Sequence, residues 1–572
     1  MLTHIKIRNF KRFEDVDIAL DKTVVFIGPN NSGKSSALQA LSLWEVGLRK
    51  WNAKYKGKPS PEKRPGVTIN RKDLISTPVP SANLLWRNLR VRNVERIDGK
   101  PSTKNILIDI IVDGITEGRR WSCGFEFDYA NEESLYCRPL RETISSLSHR
   151  MPVPDEAGKT KLAFLAPMSG LAARESKLDP GFINTLIGEG QTAQVLRNLC
   201  YQIYSSPTNN KWEEFTRQLR TLFPIELQPP KYSAETGELT LAYKEKRIQL
   251  DLSSSGRGCQ QTMLLLAHLY ANPDTVLLLD EPDAHLEIIR QRQIYHLLST
   301  TAEANRSQII AASHSEVILN EAAGKDTVVA FVGLPHSLTD RGSQLHKALK
   351  DIGWEHYYQA ELRGWVLYLE GPTDLSILRQ LAKIMNHPAK AYLEEPFVHY
   401  VYNQPDKAQS HFHGLKEAKP DLTGIAIFDR LDRTVEDPNL EILIWRKKEI
   451  ENYVCSEDVL IAYARYDLQD DLFGRAEASH REEIMRSCIR ELADYAVKYG
   501  RPSPWSDDIK VTDDFLDLLF VDYFKRLSLP LLLRKGNYHI LAQFISPEKV
   551  DHEVIEKLDS ILRIATTTSV RV

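Results

Sequence analysis

The chain has 572 residues, 42% of them hydrophobic and 26% charged, with a formal net charge of −3. That length exceeds what one hydrophobic core organises and predicts two large units. The lack of any run near the ~18 uncharged apolar residues that span a bilayer excludes a helical membrane protein. The charge balance offers no global attraction for nucleic acid, and six scattered cysteines with no C-x-x-C pair argue against a zinc-thiolate site or a disulfide framework.

The first ten residues, Met1 to Phe10, alternate like a strand and lack the apolar run of a secretory signal, so the cytoplasm is the expected location. Thr23 to Ile27 is a short β-branched run followed at once by Gly28-Pro29-Asn30-Asn31-Ser32-Gly33-Lys34-Ser35, a G-x-x-x-x-G-K-S loop, and then by helical spacing at Ala37, Leu38 and Leu41. Such a loop wraps phosphates with backbone N–H groups. Its lysine reaches the β- and γ-phosphates, its serine hydroxyl meets Mg²⁺, and the helix N-terminus adds a favourable dipole. The expected ATP contacts are Asn30, Asn31, Gly33, Lys34, Ser35 and Ser36. Arg49 to Lys72 then holds nine Lys or Arg against the single acid Glu62, a composition that fits either phosphate contact or a solvated loop.

Leu178 to Trp212 shows helical apolar spacing, and Gln191 and Gln194 within it are weak candidates for a nucleotide-sensing glutamine. Leu252-Ser253-Ser254-Ser255-Gly256-Arg257-Gly258 opens another apolar helix. Thr275 to Leu279 reads as a strand buried on both faces, ending in Asp280-Glu281-Pro282. At that strand end Asp280 is expected to hold Mg²⁺ and Glu281 to polarise the attacking water. A further apolar strand from Gln308 ends at His314, placed to sense the γ-phosphate. In this order and spacing the motifs resemble ABC-type ATPases, and the separated Gly256 and Gly258 look like the SMC, RecF and OLD branch. The resemblance implies that Ser255 and Gly256 contact ATP bound by a second copy, that the chain forms a homodimer or higher homo-oligomer, and that Asp283 to Glu287 communicate across the interface. It also implies that the helical stretch at about 176–230 is an insert of the kind that serves dimerisation in OLD proteins.

After Trp354 the pattern restarts. Val366 to Leu369 is an apolar strand leading into Glu370-Gly371-Pro372-Thr373-Asp374, and Thr423 to Phe428 leads into Asp429-Arg430-Leu431-Asp432. Two carboxylates one helical turn apart suit one metal, although a capped helix explains the same spacing. His411 and His413, read as lying in a polar loop, are left out of the metal set. Leu440 to Trp445 leads to Arg446-Lys447-Lys448-Glu449-Ile450-Glu451-Asn452-Tyr453, where a carboxylate could complete a second metal site and Lys448 could stabilise phosphate charge, or where a basic helix simply begins. These strands resemble the Toprim domain, and the whole chain resembles OLD (overcoming lysogenisation defect) nucleases, among them Gabija-like and retron-associated defence effectors. The resemblance implies that Glu370 is catalytic and that Mg²⁺ or Mn²⁺ is bound by Glu370, Asp374, Asp429, Asp432, Glu449 and Glu451. Toprim acids normally stand one residue apart, and the wider spacing of Asp429 and Asp432 makes Asp429 the firmer ligand.

The tail is helical in pattern, with Phe515, Leu518, Leu519, Val521 and Phe524 at three- and four-residue spacing and a basic interruption at Arg534 to His539. The expected fold is therefore α/β: an ABC-type (SMC/RecF-like) P-loop ATPase head at 1–345, a Toprim domain at 346–460 and a helical region at 461–572. The expected function is an ATP-dependent, metal-dependent DNA endonuclease of antiphage defence, with a defence-system protein or nucleic acid as a further partner. Two alternatives stand beside it: an RNA substrate such as tRNA, and an ATP-dependent scaffold with an inactive Toprim.

Overall fold

The computed structural model describes all residues except 57–65, 75, 98–99, 145–146, 167–169, 189–190, 207–209, 324, 339–351, 469–470 and 568–572. The centre of the basic run between Arg49 and Lys72 thus lies outside the described residues. The chain divides into two units, Met1–His346 and Lys347–Val572.

The first unit holds two six-stranded sheets. One is antiparallel and runs Phe13–Ala19, Leu2–Phe10, Ile108–Thr116, Arg119–Asn131, Ser134–Pro139 and Val67–Asn70. The other is a parallel sheet in the order Lys161–Leu165, Thr275–Asp280, Gln308–Ser313, Thr23–Ile27 and Thr327–Ala330, with His336–Ser337 antiparallel at its edge. Alternation explains why its central strands read as unbroken apolar runs. Val276, Leu278, Ile310, Val24 and Phe26 pack with helix Lys34–Tyr55 and the antiparallel sheet, whereas Leu277, Leu279, Ile309 and Ala311 face a second core. Trp44 on that helix donates its indole N–H to the carbonyl of Cys123 at 2.9 Å, satisfying a polar atom in an otherwise apolar layer.

Helices Pro180–Gly188, Leu196–Tyr204 and Lys211–Leu222 lie in the stretch read as an insert. Ile183, Leu199, Phe215 and Leu219 pack in the second core, against Met263 and Leu266 of helix Arg257–Ala271 and against the parallel sheet. These helices cover one face of the parallel sheet.

The second unit is built on a parallel sheet ordered Val398–Tyr400, Trp365–Leu369, Thr423–Phe428, Glu441–Ile444. Leu367, Leu369, Ile425 and Ile427 share one core with helices Pro372–Ile384, Glu457–Ala464, Asp517–Arg526 and His552–Thr567. The C-terminal helical region therefore covers a face of this sheet. The inward residues of its central helix are Leu519, Phe520, Tyr523 and Phe524, while Leu518 and Val521 are exposed. Both periodicities fit the run Phe515 to Phe524, and packing selected the one that buries the aromatic rings. On the sheet's other face, Gly424 lets Phe412 approach; a Cβ there would come within 2.7 Å of the ring. Phe412 and His411 belong to helix Pro405–Ala418, so the segment read as a polar loop is helical, with His411 buried on its inner side.

Candidate nucleotide site and carboxylate cluster

In the first unit the register of three parallel strands brings the nucleotide motifs to one sheet edge. Asp280 pairs with Ala312, Ala312 with Phe26, and Ser313 with Ile27, so the strand ends before Glu281, His314 and Gly28 stand side by side. Gly33 adopts φ +106, and a Cβ there would meet Arg12 Cδ at 2.6 Å, so both backbone conformation and space demand glycine. Asn31 is also in the left-handed region, at φ +61.

Lys34 is buried and donates to the carbonyls of Gly28 at 2.7 Å and Pro29 at 2.9 Å. Burial lowers its pKa, against the opposing pull of Glu281, Asp280 and Asp283. Ser35 Oγ donates to Asp280 Oδ1 at 2.9 Å, which joins the two groups expected to share Mg²⁺. Burial raises the pKa of Asp280, the Ser35 bond opposes this, and the Glu281 charge adds to it. A hydroxyl and a carboxylate in contact at a phosphate-wrapping loop form a fitting oxygen donor set for Mg²⁺. Glu281 takes φ +46, a strained conformation for a non-glycine residue, held by its N–H donating to the Ala312 carbonyl at 2.8 Å. His314 Nδ1 lies 3.5 Å from Glu281 Oε1.

Asp283 is buried and accepts from Ser313 Oγ at 2.8 Å, and His285 has φ +65. The carbonyl of His285 would sit 2.9 Å from a Cβ at position 258, which explains the second glycine of the Gly256-Arg257-Gly258 element. Ser255 Oγ donates to Leu252 O at 2.7 Å, and Gln260 Nε2 donates to Ser255 O at 2.9 Å. Ser255, Gly256 and Gly258 line an open cleft of about 440 Å³ together with His285, Leu286 and Arg290; none of Gly28 to Ser35 is in its lining. Gln191 and Gln194 flank or end a 3-10 turn at Thr192–Gln194, before helix Leu196–Tyr204.

In the second unit Glu370 and Asp429 follow the ends of neighbouring parallel strands. The Asp374 carboxylate accepts from the backbone N–H groups of Glu370 at 3.0 Å and Gly371 at 3.4 Å, capping the helix that follows. Asp429 Oδ1 accepts from Ile450 N–H at 3.2 Å, and its carboxyl shares a hydrogen bond with Glu370. Glu451 is 4% exposed and Asp374 9%. Burial raises the Asp374 pKa to about 6, helped by Glu370, and raises that of Glu451 to about 8, helped by Glu449 and Asp374. Asp429 is also raised, first by burial and then by Glu370 and Asp374. Asp374, Asp429 and Glu451 are therefore like charges drawn away from water, with half-buried Glu370 acting on the first two.

Glu449 and Asp432 are placed differently. Glu449 is buried and accepts from Thr512 N–H at 2.6 Å, a structural tie to the C-terminal region. Asp432 is exposed and is not among the groups that perturb the cluster, so the wider spacing after Asp429 takes it out of the set. The cations acting on the carboxylates come from the tail. Lys535 opposes the shifts of Glu449 and Glu451. Lys510 has its pKa raised first by Asp513 and also by Glu449 and Glu370. Lys448 is not among these cations; its backbone N–H donates to Asp507 O at 2.8 Å. Sequence reasoning missed Lys510 and passed over Lys535 because nothing local joins them to strand ends more than fifty residues away; the basic run at Arg534-Lys535 was the one signal.

Hard carboxylate oxygens gathered at strand ends suit Mg²⁺ or Mn²⁺ by charge and donor type. Among the described residues, however, the side chains that bring three ligand atoms close enough for one ion are His356, His399 and His411.

Comparisons with known proteins bear on the first unit. A family model described as an AAA ATPase domain matches residues 1–50. A second, of an AAA domain of the kind named for the AbiEii toxin of type IV toxin–antitoxin systems, matches residues 204–320. The first spans the phosphate loop; the second spans helix Arg257–Ala271, Asp280-Glu281 and His314.

The first unit is an ATPase domain.

Among solved structures, the SMC head domain from Thermotoga maritima is 16% identical, with 59% of this chain and 98% of that chain covered at a TM-score of 0.31. An SMC head bound to the C-terminal winged-helix domain of ScpA is 16% identical, with the same coverage and a TM-score of 0.34. A Pyrococcus furiosus SMC head with an extended coiled coil is 15% identical over 61% of this chain and 98% of that chain, also at 0.34. No curated protein sequence matches the chain. No helix among the described residues is long and apolar enough to cross a membrane.

Proposed function

We propose that the chain is an OLD-type nuclease in which an ATPase head of ABC type controls a divalent-metal-dependent phosphodiester-cleaving unit acting on DNA. What carries the reading is the gathering of Asp374, Asp429 and Glu451 about Glu370 after parallel strand ends, with the pKa values of the first three raised by burial and by neighbouring carboxylates. Such a cluster is costly unless neutralised, and perturbed groups of this kind gather at functional sites. Bound there, Mg²⁺ or Mn²⁺ would neutralise the cluster and supply an activated water and a Lewis acid for the phosphate. Glu370 is the acid/base and ligand residue, Asp429 and Asp374 hold the ion, and Glu451 takes the place expected of Asp432. Lys510 and Lys535 stand where charge developing on a phosphate would be balanced.

In the ATPase unit, Lys34 faces the β- and γ-phosphates and Ser35 with Asp280 holds Mg²⁺. Glu281 orients the attacking water, and His314 beside it reports the γ-phosphate. None of Gly28 to Ser35 lines the cleft at Ser255 and Gly256, which supports a second copy supplying ATP to those residues, and hence a homodimer or higher homo-oligomer. Antiphage defence, with a partner protein or nucleic acid as trigger, is the biological setting this reading implies.

The second reading, a scaffold whose Toprim no longer cuts, is favoured by the exposure of Asp432 and by the absence of a three-carboxylate ion site among the described residues. Incubating the protein with DNA and RNA, with Mg²⁺ or Mn²⁺ and with or without ATP, separates the readings. Metal-dependent cleavage lost in Asp429→Ala supports the nuclease, and cleavage of RNA alone reassigns the substrate. Cutting at the normal rate by Asp429→Ala moves any activity elsewhere and leaves the scaffold reading for this cluster.

A further inference from the structure

Three histidines outside the carboxylate cluster gather on the second unit's sheet. Strand Val398–Tyr400 pairs with Trp365–Leu369 so that His399 stands opposite Tyr368. Alternation sends both to the face opposite Leu367 and Leu369. Helix Trp354–Arg363 brings His356 there and helix Pro405–Ala418 brings His411. His356 Nδ1 lies 2.7 Å from His411 Nε2, and the His399 and His411 rings stack with centroids 4.0 Å apart. One ring nitrogen from each of the three falls within 4.8 Å of the others. The remaining nitrogen of His411, Nδ1, is 2.8 Å from the hydroxyl of buried Tyr368.

We propose that His356, His399 and His411 form a binding site for a late first-row divalent cation, with Zn²⁺ its expected occupant and Tyr368 orienting His411 from the outer shell. Imidazole nitrogen suits zinc, copper and nickel better than the magnesium or manganese expected at carboxylates. At Zn–N bonds of about 2.0–2.1 Å, tetrahedral ligand atoms stand roughly 3.3 Å apart. The 2.7 Å pair and the 4.8 Å outer limit bracket that spacing, and one of the stacked His399 and His411 rings must turn for both lone pairs to meet one ion. The tyrosine contact is the kind of outer partner that fixes tautomer and ring direction in metal-bound histidines. The hydrogen-bond partners of His411 are His356 and Tyr368, neither of them a carboxylate. The ion would tie two helices and the edge strand to the strand that leads into Glu370. This inference does not depend on the nuclease reading.

The test is a Co²⁺ titration of the full chain after removal of metal with a chelator. In excess Mg²⁺, which occupies the oxygen-donor sites, the expected result is about one equivalent bound with the strong ligand-field absorption of four-coordinate Co²⁺, displaced by Zn²⁺. His399→Gln, with its fold checked by circular dichroism and retained ATPase activity, weakens binding at least tenfold, and Tyr368→Phe weakens it on the order of tenfold. His413→Ala, on the same helix but 2.8 Å from Asp437, leaves it unchanged, as does Asp429→Asn in the carboxylate cluster. No absorption band in the wild type, a band that survives His399→Gln, or one lost in Asp429→Asn would each overturn the proposal.

Discussion

The two candidate sites are both assembled at the carboxyl ends of parallel strands, yet they balance charge in opposite ways. In the ATPase unit a buried lysine stands among Asp280, Glu281 and Asp283, so cation and acids offset one another within one chain segment and its strand neighbours. In the second unit buried acids face acids. Lys510 and Lys535 reach them only from the distant tail, and Asp374, Asp429 and Glu451 are left with raised pKa values. The charge balance of the first site suits a ligand that brings its own anionic phosphates with a metal, whereas that of the second suits the cation proposed for it.

The sharpest break in that comparison is functional. Asp429→Ala or Glu370→Ala should reduce metal-dependent cleavage by at least about a thousandfold while ATP turnover stays within about twofold, read by parallel cleavage and phosphate-release assays. In the other direction, Glu281→Gln should lower hydrolysis by roughly 10²–10⁴-fold and retain bound ATP. Lys34→Ala should abolish turnover by weakening nucleotide binding itself. Undiminished turnover in Glu281→Gln would assign the water to another residue.

A smaller effect separates the sites by pH. A carboxylate whose folded pKa exceeds its unfolded value favours the fold while protonated. That contribution is complete below about pH 4 and is lost as the pH rises through about 6 for Asp374 and about 8 for Glu451. For Asp374 it amounts to roughly 3 kcal/mol. The thermal midpoint of the second unit in metal-free protein should therefore fall between about pH 5 and pH 8, and Mg²⁺ or Mn²⁺ should flatten the slope. Glu451→Gln should do the same without metal. A pH-independent midpoint would remove the case for a strained acid cluster.

The smallest effect tests the cation assignment. Lys535→Ala should slow cleavage by about tenfold with little change in substrate affinity, while Lys448→Ala should change it less than about threefold. The reverse ranking would return the role to Lys448.

How far the sequence could be read follows the range of the interactions involved. The phosphate loop was legible because its chemistry lies within eight consecutive residues, and the Asp280-Glu281 strand because burial on both faces leaves an unbroken apolar run. Asp374 was legible only in part, since the spacing that suits a metal also suits the helix cap it forms. The loop reading of His411 failed because Gln404 to His413 is polar in composition, while the helix there is set by packing of Phe412 against Gly424.

By itself, then, the sequence determined the phosphate loop and the order of the strands that end in acids. Both rest on local periodicity and on residues adjacent in the chain. Only the tertiary structure decided which carboxylates face one another, that Asp432 points to solvent while Glu451 is buried, that Lys510 and Lys535 supply the nearby positive charge, and that three histidines from two helices and a strand meet. Each of these depends on register and packing between segments far apart in the chain, where no spacing rule carries information and burial alone sets which charges interact.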